Sequence, residues 1–150
     1  KRVYREVKAS DARQEFFDLI PELAMKMADF GYVNDREAAS AKLRLALRSG
    51  YAATRAVYKA SRSSMVKDDE VKQELESAVE DALPGIAIDD IEAPESVLAM
   101  ASAALERSKR GGFRTGRMDE TTARRDIAWL QRRGYSFEVI KKAMGLGELY

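Results

Sequence analysis

Arg55, Lys59 and Arg62 follow one another at spacings of four and three, and Arg44 and Arg48 lie four apart just before them. On a helix such spacings gather the cations on one face. Arg107, Lys109, Arg110, Arg114 and Arg117 crowd a glycine-rich stretch, and Arg124, Arg125, Arg132, Arg133, Lys141 and Lys142 decorate the segment that follows. Arginine outnumbers lysine there, and its planar fork suits bidentate contact with phosphate or carboxylate. The chemistry on offer is recognition of an anion: the phosphates of single- or double-stranded DNA, or acidic protein surface. A solvated helical surface accounts for any one of these residues, and less well for an ordered stripe.

No other residue set assembles a reaction. The 150 residues include neither cysteine nor histidine, which excludes disulfides, thiol catalysis, histidine-ligated metals and a histidine general base. Asp68-Asp69-Glu70 invites a metal reading. Three acids opening a helix are, however, favourable charge for its first turn, and no partnering carboxylate spacing recurs nearby. "RGGFRTG" at 110–116 lacks the lysine–hydroxyl ending of a phosphate-binding loop and the spacing of a dinucleotide fingerprint. The expectation is a non-enzyme with no metal, no cofactor and no small-molecule substrate. No apolar run approaches a membrane span and none forms a signal-peptide core. The first residue is not methionine, consistent with a chain trimmed before it. A soluble, cytoplasmic protein with no membrane partner is expected.

The net charge of +1 conceals a division. Residues 1–66 carry 13 basic against 8 acidic residues, residues 67–106 carry 2 against 12, and residues 107–150 carry 11 against 5. Two basic ends flank an acidic middle, a pattern that selects partners electrostatically.

Helices must position these charges. Residues 11–29 carry Phe16, Leu19, Ile20, Leu23 and Met27, continued by Phe30, at helical spacing. Pro21 predicts a kink or a break there. Asn34 with Glu37 has the form of a capping box, and the next helix turns Ala39, Leu43, Ala46 and Leu47 inward. A third helix opens at Tyr51, anchored by Val57 and Tyr58. Residues 67–83 read as one acidic amphipathic helix burying Val71, Leu75, Ala78, Val79 and Ala82. "PGIAIDDIEAP" at 84–94 holds two of the three prolines and reads as a linker or insertion between a module at 1–83 and another at 95–150. Beyond it come a helix over 95–110, another over 119–133 with Ala123, Ile127 and Leu130 on one face, and a last short one. Ser136 caps that last helix, Phe137, Ile140 and Met144 pack down, and Gly145 stops it. No alternating strand appears.

Gly-Tyr occurs three times, at Gly31-Tyr32, Gly50-Tyr51 and Gly134-Tyr135, each between two helical segments. Glycine is cheap in the left-handed conformation that ends a helix. The tyrosine after it can brace both helices while its hydroxyl stays near water. A repeated turn implies a repeated helical hairpin, so the fold class is all-α, with tandem three-helix units in an elongated array rather than one closed bundle.

"FGYVNDREAASAKLRLALRSGYAATRAVYKA" (30–60), followed by "RRDIAWLQRRGYSFEVIKKAM" (124–144), resembles the RecX family of bacterial recombination regulators. Gly31-Tyr32-Val33-Asn34-Asp35, Arg48-Ser49-Gly50-Tyr51 and Arg133-Gly134-Tyr135-Ser136-Phe137 match its short motifs in order, and "KRGGFR" (109–114) is similar to a basic segment of some members. The likeness spans roughly residues 23–146. Ala52 and Ser63-Ser64 depart from it, where the family carries glycine and Lys-Gly. The resemblance implies tandem three-helix repeats that bind the RecA recombinase filament on single-stranded DNA and limit its ATP hydrolysis, strand exchange and co-protease activity. The residues themselves also allow a helix-turn-helix-like module that binds nucleic acid directly, with "RRGYSFEVIKKAM" as the reading helix.

Overall fold

The computed structural model describes residues 10–30, 34–86 and 90–146. They form eight α-helices and one 3-10 turn, with no strand among the described residues. The helices are α1 (Ser10–Asp29), α2 (Asp35–Arg48), α3 (Ala53–Ser64), α4 (Asp68–Lys72), α5 (Leu75–Ala82), α6 (Pro94–Arg107), α7 (Glu120–Arg132) and α8 (Phe137–Met144); the 3-10 turn is Gly111–Phe113. The fold is all-α, as the apolar spacing predicts. No helix among the described residues is long and apolar enough to cross a membrane.

Two compact units divide the chain, Lys1–Asn34 and Asp35–Tyr150. Residues 84–94, where the sequence suggests a boundary, fall inside the second unit. In the first unit α1 runs unbroken through Pro21, so, of the kink or break expected there, the break is absent. One proline removes a single hydrogen bond, which twenty residues of helix tolerate. Gly31 and Tyr32 lie outside the described residues.

The second unit is built by α2, which packs on α3, α4 and α5, and by α6, which packs on α8 and the 3-10 turn, with α7 beside α8. Its centre is Leu43, Leu47, Met100, Leu105, Leu130, Ile140 and Val79, all fully buried. The acidic segment after residue 67 is two helices rather than one. Glu74 N–H reaches back to Val71 O at 3.2 Å, an i→i−3 bond that tightens the chain between α4 and α5. That step keeps Val71 and Leu75 both buried, at 3% and 5% exposure. Tyr58 and Phe137, expected to pack inward, are 43% and 46% exposed, while Val57, Ile140 and Met144 are buried as expected.

The two Gly-Tyr turns among the described residues share one geometry. At the end of α2, Gly50 N–H donates to Leu47 O and Tyr51 N–H to Ala46 O; at the end of α7, Gly134 N–H donates to Gln131 O and Tyr135 N–H to Leu130 O. These are Schellman closures with a left-handed residue at C′. The φ angles of Gly50 and Gly134 are 83° and 94°. Tyrosine therefore recurs after glycine because it occupies C″, the position this motif sets against C3. Lys109 takes the same role after α6 at φ 51°, with its N–H on Glu106 O and that of Arg110 on Leu105 O. Tyr135 differs from expectation in one respect: it is 5% exposed, and burial pushes its hydroxyl pKa upward against the opposing influence of Arg107 and Arg133.

The start of α8 is capped as the sequence suggests, with Val139 N–H donating to the Ser136 hydroxyl at 3.4 Å. That bond is long, so Ser136→Ala is expected to cost only about 0.5 kcal/mol, the low end for a lost cap. A small fall in the urea midpoint at unchanged slope would register it.

Candidate functional site

The structure sorts the cations by what they touch. Arg110 and Arg114 turn inward onto Asp126, whose side chain is fully buried. Arg114 Nε donates to Oδ2 at 3.0 Å and its Nη2 to Oδ1 at 2.8 Å, while Arg110 Nη1 donates to Oδ1 at 2.7 Å and Gly111 N–H to Oδ2 at 2.9 Å. Burial alone would raise the Asp126 pKa. The hydrogen bonds from Arg114, Gly111 and Arg110 outweigh it and hold the carboxyl below its ordinary value. This network pins the glycine-rich loop and its 3-10 turn onto α7. Asp126 itself is invisible to a search for catalytic groups. The signal that finds it is spacing: it falls between Ala123 and Leu130 on the apolar stripe of α7, facing a loop rich in arginine.

Arg133 is also an internal brace. Its Nε donates to Ser49 O at 3.0 Å, and its carbonyl accepts from Ala52 N–H at 3.0 Å. Its guanidinium lies 3.6 Å from the Trp129 ring centroid and 5.2 Å from that of Tyr51. The turn at Gly134 is thereby docked on the turn at Gly50, 84 residues away in sequence from Ser49 to Arg133. Burial lowers the pKa of Arg133 and of Arg107. Arg107 donates to Leu47 O at 3.2 Å, so two arginines satisfy carbonyls at the C-terminal end of α2, where its dipole favours cations. Arg44 pairs with Asp81 at 3.0 Å, Arg124 pairs with Glu120 along α7 at 2.6 Å, and Arg48 reaches Asp81 O at 3.5 Å.

On α3, three cations stay outward side by side. Arg55, Lys59 and Arg62 are exposed and hold no ion pair among the described residues. Tyr58 sits among them, with the guanidinium carbons of Arg55 and Arg62 at 5.2 and 5.7 Å from its ring centroid. Lys59 Nζ lies 4.8 Å from the ring of Tyr51. Beside this stripe a groove of about 450 Å³ is lined by Lys42, Lys59 and Arg133 around Tyr51, with Ser49 and Ser63 at its edge and no carboxylate in its walls. Lys42 Nζ donates to Ser63 O. Cations alternating with aromatic rings can grip phosphate or carboxylate while offering a stacking surface.

The remaining sequence candidates do not join that face through any contact described. Arg117, Arg125, Arg132 and Lys142 are exposed, and Lys141 is half-buried with its Nζ 5.6 Å from the Phe137 ring. Asp68, Asp69 and Glu70 occupy the first turn of α4, and no group of three or more acidic side chains among the described residues is arranged to hold a metal ion. Lys42 and the exposed ring of Tyr58 belong to the face although sequence reasoning passed over the first and placed the second inside. No protein-family model, no curated protein and no solved structure matches the chain.

Proposed function

We propose that the α3 face docks on a polyanionic surface, and that the chain is a regulator of RecX type. On this reading it binds the RecA recombinase filament on single-stranded DNA and restrains its ATP hydrolysis, strand exchange and co-protease activity. One observation carries the proposal. Arg55, Lys59 and Arg62 stand exposed along one helix, without a carboxylate partner and beside the rings of Tyr58 and Tyr51. Arg110, Arg114, Arg44 and Arg124 are neutralised within the chain, and the exposed Arg117, Arg125, Arg132 and Lys142 lie over no aromatic ring among the described residues. Cations without a carboxylate partner break no internal ion pair on meeting an anion, and complementary charge adds specificity and on-rate. The short motifs matched in order supply the identity of the partner, and the absence of a reaction site in the sequence agrees with a protein that acts by occupying a surface.

Co-sedimentation with filaments of the cognate recombinase on single-stranded DNA tests this. Wild type is expected to pellet with the filament, and Arg55→Glu/Lys59→Glu/Arg62→Glu to lose at least about tenfold in affinity while melting like wild type. Glutamate keeps the Cβ and Cγ of Arg55, the atoms against which the Gly134 turn rests. Tight, sequence-dependent binding to duplex DNA with no recombinase present, falling steeply with salt, would favour a direct nucleic-acid reader instead.

A further inference from the structure

A second surface on α3 has the opposite character. Between α3, α4 and the start of α5 opens a cleft of about 270 Å³. Its floor is Ala53, Val57 and Leu75, which are 8%, 7% and 5% exposed. Tyr58 forms one wall, and the rim carries Asp68, Asp69 and Glu92 against a single cation, Lys72. Two of the three carboxylates are already engaged: Glu92 accepts from Lys72 Nζ at 2.9 Å, and Asp68 accepts from the Ser61 hydroxyl. The Asp69 carboxylate holds no hydrogen bond or ion pair among the described residues.

An apolar floor beneath a net negative rim narrows the occupant. An acidic group would be repelled, and a purely apolar one would sit against carboxylates that it cannot satisfy. A bare metal ion finds no suitable ligand group among the described residues. The volume excludes a helix and admits one long side chain. A cation on an aliphatic stem meets both requirements, since the stem covers the floor while the head stays at the rim. Guanidinium suits this better than ammonium because it is weakly hydrated and presents a carboxylate with two parallel donors.

We propose that this cleft is a docking site for an arginine side chain of a partner protein, with the guanidinium at Asp69 and the stem on Ala53, Val57 and Leu75. Tyr58 then divides α3 into a basic face and an acid-rimmed cleft, so that one helix reads both signs of charge on its partner. The cleft is testable without any recombinase and stands or falls separately from the polyanion reading.

The probe is N-acetyl-arginine amide, titrated into the full chain and followed by amide chemical shifts, with N-acetyl-citrulline amide as its neutral counterpart of like shape. Saturable shifts are expected at residues 53–58, 68–75 and 92 with the arginine compound and none with citrulline. Asp69→Asn is expected to weaken binding about threefold, and Lys72→Gln, which removes the competing cation, to strengthen it about threefold. Both side chains are exposed and neither is part of the core. Shifts that do not saturate, that spread over the whole acidic surface or that appear equally with citrulline, or an affinity unchanged in the Asp69 or the Lys72 variant, would overturn the proposal.

Discussion

Asp126→Ala is expected to destabilise the Asp35–Tyr150 unit by about 3–4 kcal/mol, the lower part of the range for breaking a buried ion pair from one side. The lower part applies because Arg110 and Arg114 retain 31% and 30% side-chain exposure and partly rehydrate once the carboxylate is gone. The buried Gly111 N–H has no such recourse and loses its partner outright. Urea unfolding at pH 7 reads the difference. Its pH dependence reads the cause. The folded-state pKa of Asp126 lies below the ordinary aspartate value, so its contribution is complete above the unfolded-state pKa and is lost as the pH falls through the folded-state one. The gap between wild type and variant is expected to be flat from about pH 8 to pH 5 and to close progressively below about pH 4. A variant as stable as wild type at neutral pH would mean that the network is not what holds the glycine-rich loop to α7.

Gly50→Ala is expected to be nearly as damaging. A Cβ there would stand 2.9 Å from Ala104 Cβ and 3.3 Å from the Trp129 ring, and the residue would have to keep a φ of 83°. The left-handed backbone costs a β-carbon about 1 kcal/mol, and forcing a methyl into a closed contact about 1–3 more, for roughly 2–4 kcal/mol in all. Gly85→Ala separates the two contributions, because Gly85 has a φ of 93° with nothing within 4 Å of an added Cβ. It is expected to lose only the backbone part. Equal losses at the two positions would show that close approach of the Gly50 turn to α6 and α7 contributes nothing.

These two sites differ in how far the sequence reveals them. The helices of the second unit are legible because local rules agree: apolar residues at helical spacing, Ser136 before α8 and left-handed closures at Gly50 and Gly134. The Gly-Tyr repeat is legible as a turn for the same reason. Its consequence is not, because the contact that docks one turn on the other joins Ala52 to Arg133 across most of the second unit. Arg110, Arg114 and Arg133 read as surface charge in the sequence because no acidic residue stands within three residues of them; their partners are Asp126, 16 and 12 residues from the first two, and, for Arg133, the ring of Trp129 one turn back and the distant carbonyl of Ser49. Tyr58 looked like core since its spacing from Val57 says only that one of the two faces inward. The break between α4 and α5 escaped for a related reason, as an unbroken helix would bury much the same apolar residues. Where the cations of α3 are concerned, spacing was enough: Arg55, Lys59 and Arg62 share an exposed face as a four–three pattern requires.

The proposed docking uses that face, and ATP hydrolysis by the cognate recombinase on single-stranded DNA tests it most directly. Wild type is expected to slow hydrolysis at substoichiometric amounts, and the Arg55→Glu/Lys59→Glu/Arg62→Glu protein, folded like wild type, to need at least about ten times more for the same effect. Unslowed hydrolysis with wild type in excess, or equal inhibition by the two proteins, would contradict it.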